Sequence, residues 1–153
     1  MIFETPRYLP DFIAESNRIE GIHRPPTAGE IVAHEKFLHL ERLSRDDLVR
    51  FVSAVQPNAR IRSWPGMDVR VGDHFPPPGG QDIPKALTAL LRQVNALDPW
   101  ALHCQYETLH PFTDGNGRSG RVLWAWQMLR VHGGFPLGFL HHAYYQALRA
   151  WRG

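Results

Sequence analysis

Apolar positions recur at helical spacing in most of the chain. Ile83, Leu87, Leu90, Leu91 and Val94 share one face of a segment predicted to be helical over 82–97. Thr27-Ala28-Gly29-Glu30 has the form of a capping box, where a hydroxyl and a glutamate three residues later satisfy each other's backbone N–H groups, and predicts a helix to about Leu40. Ser44-Arg45-Asp46-Asp47 opens another, which must end before Pro57. Asp98-Pro99 supplies an N-cap and a first-turn proline for the next helix, and Pro111 stops it near Leu109 by disfavouring helical geometry at His110. Residues 118–132 are apolar around much of the circumference, the pattern of a core helix, and Gly133-Gly134 ends them. A last helix over 138–151 would pack Leu140, Tyr144, Ala147, Leu148 and Trp151 on that core. Strand-like alternation is confined to 61–78, where Asp68-Val69-Arg70-Val71 precedes a Gly72-Asp73 turn and Pro76-Pro77-Pro78 closes the stretch, so a short β-hairpin is expected there. The fold class is therefore all-α, a helical bundle with one short hairpin.

Composition narrows this only a little. With 153 residues a single domain, 1–153, is expected. The formal charge is +2, without a block of like charges, which argues against nucleic acid as partner. No apolar run has the length of a bilayer span, so no membrane partner is expected. One cysteine, Cys104, excludes an internal disulfide, and the opening MIFETPRYLP lacks a secretory layout, so a cytoplasmic location is expected.

The chemistry concentrates in His110-Pro111-Phe112-Thr113-Asp114-Gly115-Asn116-Gly117-Arg118-Ser119-Gly120-Arg121. Gly115, Asn116 and Gly117 fall where the next helix begins, with unpaired N–H groups and a positive dipole end, a setting that attracts phosphate. Arg118 and Arg121, three apart, share a face and can grip phosphate oxygens. Asp114 would repel such a ligand unless a divalent cation lay between them, and Mg²⁺ suits one carboxylate, waters and phosphate oxygens, which makes Asp114 the candidate metal ligand. His110 is the candidate general base, since a histidine ordinarily titrates near pH ~6.5. Phe112 is expected to turn inward and anchor the loop. The plainer alternative is an interhelical turn with His110 as a core histidine. A Walker phosphate loop fails for want of Gly-Lys-Ser/Thr. Zinc is disfavoured because His103, Cys104 and His110 lack a second close-spaced ligand pair, and the neighbours His141 and His142 point apart.

This run resembles, without gaps, the signature H-x-F-x-[DE]-G-N-G-R-x-x-R of the Fic (filamentation induced by cAMP) family. The resemblance implies an α-helical fold and Mg²⁺-dependent transfer of AMP from ATP to a Tyr, Thr or Ser hydroxyl of a target protein, with pyrophosphate released. By position it implies His110 as base, Asp114 as Mg²⁺ ligand, Gly115, Asn116 and Gly117 as anion hole, and Arg118 and Arg121 as phosphate clamps. The stretch with Val69, Arg70, Val71 and Gly72 resembles the family's flap, which aligns a target segment as an added strand. Tyr144 resembles a nucleotide-contacting tyrosine. Where relatives often place an adenine-facing asparagine two turns later, this chain has Trp151 and Arg152.

On a helical wheel Phe12, Ile13, Ser16, Ile19 and Glu20 fall on one side. A carboxylate on an apolar stripe needs a fixed cation or donors, with Ser16 one turn back on the same face. Ser16-Asn17-Arg18-Ile19-Glu20-Gly21 resembles the inhibitory motif [ST]-x-x-x-E-[GN] of Fic proteins, which implies that residues 1–22 form an inhibitory helix whose Glu20 pairs with Arg121. Three readings stay open: an autoinhibited adenylyltransferase, a hydrolase that removes AMP through the same site, and a silent nucleotide-binding adaptor. Phosphate transfer by the related Doc toxins resembles H-x-F-x-x-x-N-K-R, from which Gly117-Arg118 departs. Self-association into a homo-oligomer also stays open.

Overall fold

A computed structural model describes residues 4–138 of the chain. It contains six helices: α1 (Leu9–Ile19), α2 (Ala28–Leu38), α3 (Arg45–Val55), α4 (Asp82–Leu91), α5 (Pro99–Leu109) and α6 (Asn116–His132). The expected helix at 138–151, with Tyr144, lies outside the described residues. Local chemistry sets the boundaries. Both capping boxes form, with Thr27 accepting from the Glu30 amide and Ser44 from that of Asp47. Asp98 caps α5 through the amides of Trp100 and Ala101. The segment expected to continue α4 to Leu97 instead turns after Leu91, and the carbonyls of Val94 and Leu97 accept from the buried side chain of Gln127 on α6.

α6 is the axis of the bundle, packed against α5, α2, α1 and α3. Val122, Leu123 and Ala125 on it have no exposed surface, and meet Leu48 of α3, Leu87 of α4 and Leu102 of α5, which are equally buried. Each such aliphatic side chain contributes roughly 1.5–3 kcal/mol on burial, so the helix carrying the two motif arginines is anchored in the core. α1 is pinned to it by aromatic contacts: Phe12 stacks on Trp124 at 6.4 Å between centroids and meets Phe135 edge-on at 4.8 Å.

Among the described residues there are no strands, which corrects the expected hairpin at 61–78. Within the stretch only one antiparallel pair forms, Val71 with His74, each amide donating to the other's carbonyl across Gly72-Asp73 at 3.0 and 2.9 Å, while Ile61 pairs outside it with Phe112. The ladder goes no further for two reasons. The prolines 76–78 have no N–H to donate. The carbonyls of Met67 and Pro77, at the two ends of the loop, are claimed by the guanidinium of Arg62. Val69 and Val71 are half-buried and alternate with exposed Arg70 and Gly72. No helix of the described residues is long and apolar enough to cross a membrane.

Candidate active site

The loop at 110–115 joins the C-terminus of α5 to the N-terminus of α6, so the unpaired carbonyls of one helix and the unpaired amides of the other converge on it. His110 caps α5 in the left-handed region (φ 52°, ψ 63°), the one non-glycine residue with positive φ among the described residues. Such a conformation costs on the order of 1–3 kcal/mol and persists where its surroundings impose it. Arg62 imposes it here. Its wholly buried guanidinium donates to the carbonyls of His110 (2.7 Å), Leu109 (2.9 Å), Met67 (3.1 Å) and Pro77 (2.8 Å), tying the end of α5 to both ends of the 63–79 loop. Burial pulls the Arg62 guanidinium below its ordinary pKa, but a guanidinium is not deprotonated in proteins, and four carbonyl dipoles face it. Further pairing stitches residues 60–62 to the loop: the Arg62 amide donates to Pro111 at 2.9 Å and that of Thr113 to Arg60 at 2.8 Å.

Phe112 turns inward and is 1% exposed. The Asn116 side chain is 2% exposed and spans the loop from within, accepting from the Phe112 amide and donating to the Phe112 carbonyl, both at 2.8 Å. It braces the turn, leaving its backbone N–H as what it can offer an anion. Gly115 (φ 78°) precedes α6, whose first residues are Asn116, Gly117 and Arg118.

Both motif arginines are engaged. Arg121 has no exposed surface. Its Nε donates to Ser16 Oγ at 2.7 Å, and its Nη2 to the Ser16 carbonyl at 3.0 Å and to Glu20 Oε1 at 2.6 Å. Glu20 is the C-cap of α1, and its carboxylate hangs over the first turn of α6. A Cβ on Gly117 would stand 2.1 Å from Glu20 Oε1 and about as close as 3.0 Å to Arg121 Nη1, so only glycine admits this approach. Arg118 is 4% exposed. Its Nη2 donates to the Val55 carbonyl (2.9 Å) and Gln56 Oε1 (2.8 Å), while Nη1 lies 3.5 Å from Glu30 Oε2. Burial lowers its pKa, opposed by Glu20, Glu30 and Asp114.

Asp114 accepts from the Gly115 amide at 2.7 Å through Oδ1 and from Gln56 Nε2 at 2.9 Å through Oδ2. Burial would raise the Glu30 carboxyl, but hydrogen bonds from Arg24, the Thr27 amide and Asn17, with the charge of Arg24, bring it down to about 2. Asn17, one residue after Ser16, thus reaches Glu30 at 3.1 Å while Ser16 reaches Arg121, so adjacent residues of α1 touch the surroundings of both arginines.

The structure therefore brings together His110, Asp114, Gly115, Asn116, Gly117, Arg118, Arg121, Ser16 and Glu20 about the front of α6. Val69, Arg70, Val71 and Gly72 are held beside α5 through His74, whose ring N–H donates to the Thr108 carbonyl at 2.9 Å. Tyr144 lies outside the described residues. The sequence reading missed Arg62 and Gln56. Nothing in Ile61-Arg62-Ser63 or Val55-Gln56-Pro57 marks either as more than a surface residue, because the partners of Arg62 are backbone carbonyls 5, 15, 47 and 48 positions away and those of Gln56 are side chains 58 and 62 positions away.

Residues 42–128 match the model of the Fic/DOC family, and the chain belongs to that family. It is similar to the "Protein adenylyltransferase Fic" of Nematostella vectensis, 30% identical over 167 residues that cover 96% of this chain and 37% of that protein. The chain thus spans little more than a third of that relative's length. Its fold is similar to that of a Fic domain containing signaling protein from Bacteroides thetaiotaomicron, with a TM-score of 0.67 over 94% of this chain and 71% of that one, at 19% identity.

Proposed function

We propose that this chain is a protein adenylyltransferase that moves AMP from ATP to a target protein's hydroxyl and is held inactive by its own first helix. The carrying observation is the stack at the front of α6: Glu20 seated over Gly117 and bound to Arg121 at 2.6 Å, in the place the helix N-terminus would offer a phosphate. The name of the Nematostella relative supports the same activity.

In this reading the amides of Gly115, Asn116 and Gly117 bind phosphate oxygens, Arg118 and Arg121 clamp them, and His110 takes the proton of the target hydroxyl. The hydroxyl oxygen forms a bond to the α-phosphorus as the bond from that phosphorus to the pyrophosphate oxygen breaks, and pyrophosphate leaves. Positioning and charge neutralisation supply most of the acceleration, with a general base adding roughly 10²–10⁴. The loop of Val69, Arg70, Val71 and Gly72 would align the target segment. Asp114 fits a hard divalent cation: it is an exposed, all-oxygen ligand at a phosphate-attracting helix end, and among the described residues no group of three or more His, Cys, Asp or Glu forms a cage. The Mg²⁺ ion, when bound, neutralises phosphate charge.

While Glu20 neutralises Arg121, the terminal phosphate of ATP loses its clamp. Intact-mass measurement of the Glu20→Gly protein with Mg²⁺ and each of several nucleoside triphosphates tests the proposal. A mass gain of one AMP, absent in the Glu20→Gly, His110→Ala double variant, is expected. A Glu20→Gly protein that binds ATP yet modifies neither itself nor any lysate protein overturns it.

A further inference from the structure

We propose that Gln56 is a positioning residue that sets the Asp114 carboxylate and the Arg118 guanidinium as one unit, and that its neutral amide makes divalent-cation binding at Asp114 depend on the nucleotide. The proposal rests on the adenylyltransferase reading above. Gln56 is the C-cap of α3, and its side chain reaches both partners at once: Oε1 accepts from Arg118 Nη2 at 2.8 Å and Nε2 donates to Asp114 Oδ2 at 2.9 Å. The bridge works in one orientation. Turned over, the amide would face N–H against N–H at Arg118 and oxygen against oxygen at Asp114, so each contact fixes the other.

Two features tie the loop to this residue. A Cβ on Gly115 would stand 3.4 Å from Gln56 Cβ, at ordinary contact distance, so the turn packs directly against the base of the Gln56 side chain. The carbonyl of Val55 accepts from the same Arg118 nitrogen at 2.9 Å, so the end of α3 grips the guanidinium twice.

The chemistry of the bridge has a consequence for the ion. Asp114 and Gln56 together present a single negative charge, and the neighbouring cation, Arg118, opposes a second positive one. An ion without phosphates attached meets weak attraction, whereas one carried by a nucleotide brings its own negative charge. A glutamate at 56 could still accept from Arg118, but would set a second carboxylate against Asp114. The two would repel each other until a cation came between them. Affinity for hard divalent cations follows the count of ligand charges, so this change turns a nucleotide-dependent site into one that binds the bare ion.

Mn²⁺ serves as the probe, with its binding followed by loss of the free-ion electron paramagnetic resonance signal, in protein carrying Glu20→Gly and no nucleotide. Adding Gln56→Glu should tighten Mn²⁺ binding by about tenfold or more, and a further Asp114→Asn should remove the gain. The Asp114→Asn variant separates a gain at this carboxylate from ion binding elsewhere on the chain. Mn²⁺ binding unchanged by Gln56→Glu, or a gain that survives Asp114→Asn, overturns the proposal. In a second arm, Gln56→Met, which keeps the length but neither hydrogen bond, should raise the KM for Mg²⁺–ATP more than it lowers kcat; a KM equal to that of the parent protein also overturns it. Because the Mn²⁺ arm needs no AMP transfer, it decides the role of Gln56 even if the adenylyltransferase reading fails, and AMP transfer with an unaltered Mn²⁺ response would leave that reading standing.

Discussion

Glu20 and Arg121 meet at 2.6 Å, the arginine side chain with no exposed surface and the glutamate a third exposed. The pair is therefore asymmetric. Removing Glu20 leaves a buried guanidinium short of a counter-charge, while removing Ser16 Oγ takes away one neutral acceptor and leaves the Ser16 carbonyl in place. Glu20→Gly is expected to raise AMP incorporation about 10- to 100-fold, the range of ordinary couplings between sites, and Ser16→Ala only a few-fold. It should also lower the stability of the nucleotide-free protein by about 1–2 kcal/mol, reduced from the buried-pair range by the exposure of Glu20. Thermal unfolding with and without Mg²⁺–ATP checks this: nucleotide should stabilise Glu20→Gly more than the parent, and equal stabilisation would contradict it.

The left-handed backbone of His110 separates its chemistry from its conformation. Alanine is strained at φ 52° and glycine is not, a difference of about 1 kcal/mol. Both His110→Ala and His110→Gly should abolish AMP transfer in the Glu20→Gly background, but the glycine variant should unfold at a higher temperature than the alanine one. Calorimetry reads the ordering directly, and the reverse order would mean that the left-handed backbone is not what holds this position.

Arg62 makes its four side-chain hydrogen bonds to carbonyls alone, from four separate residues. Arg62→Met keeps much of the stem and deletes every donor, leaving buried carbonyls unsatisfied, so a loss of about 3 kcal/mol or more in urea unfolding is expected. Lysine cannot reproduce a planar fork with donors on both sides, so Arg62→Lys should recover little of it. A loss under about 1 kcal/mol would show that water replaces the guanidinium without cost.

How much of this was legible in the sequence depends on the range of the interaction. Helix starts are local, and Thr27, Ser44 and Asp98 cap where their residue types indicate. The loop between α5 and α6 is equally local, since Pro111 and the glycines interrupt two apolar patterns. That Glu20 needs a distant cation was legible because an apolar stripe ends in a carboxylate and the chain offers two arginines in one loop, while the choice of Arg121 between them came from the resemblance of residues 16–21 to the inhibitory motif. What was not legible required knowing a neighbour in space. The hairpin at 61–78 shrinks to a single pair because Arg62 takes the carbonyls of Met67 and Pro77, and no alternation of valines reveals that. Gln56 reads as a polar helix end before Pro57, since its two partners stand 58 and 62 positions away.

Acid should unfold the protein in two overlapping stages, each traceable to a residue of α2. His34 is buried between Phe12 and Phe51, its Nδ1–H donating to the Glu30 carbonyl at 2.7 Å, and burial depresses its pKa from 6.5 to about 4. In the unfolded chain this imidazole therefore takes up a proton at a higher pH than in the folded one, and stability falls as pH drops from about 6.5 to about 4. Glu30, lowered from 4.5 to about 2, likewise contributes stability that is complete above pH 4.5 and lost as pH falls toward 2. Each shift corresponds to roughly 3 kcal/mol when fully expressed. Urea unfolding at successive pH values should show a decline beginning near pH 6.5. His34→Phe, which preserves an aromatic ring between its neighbours, should flatten the upper part of that decline, and Glu30→Gln the lower part. A parent protein whose unfolding free energy is constant from pH 7 to pH 4 would mean that His34 is not held neutral by burial and that water reaches it between α1 and α3.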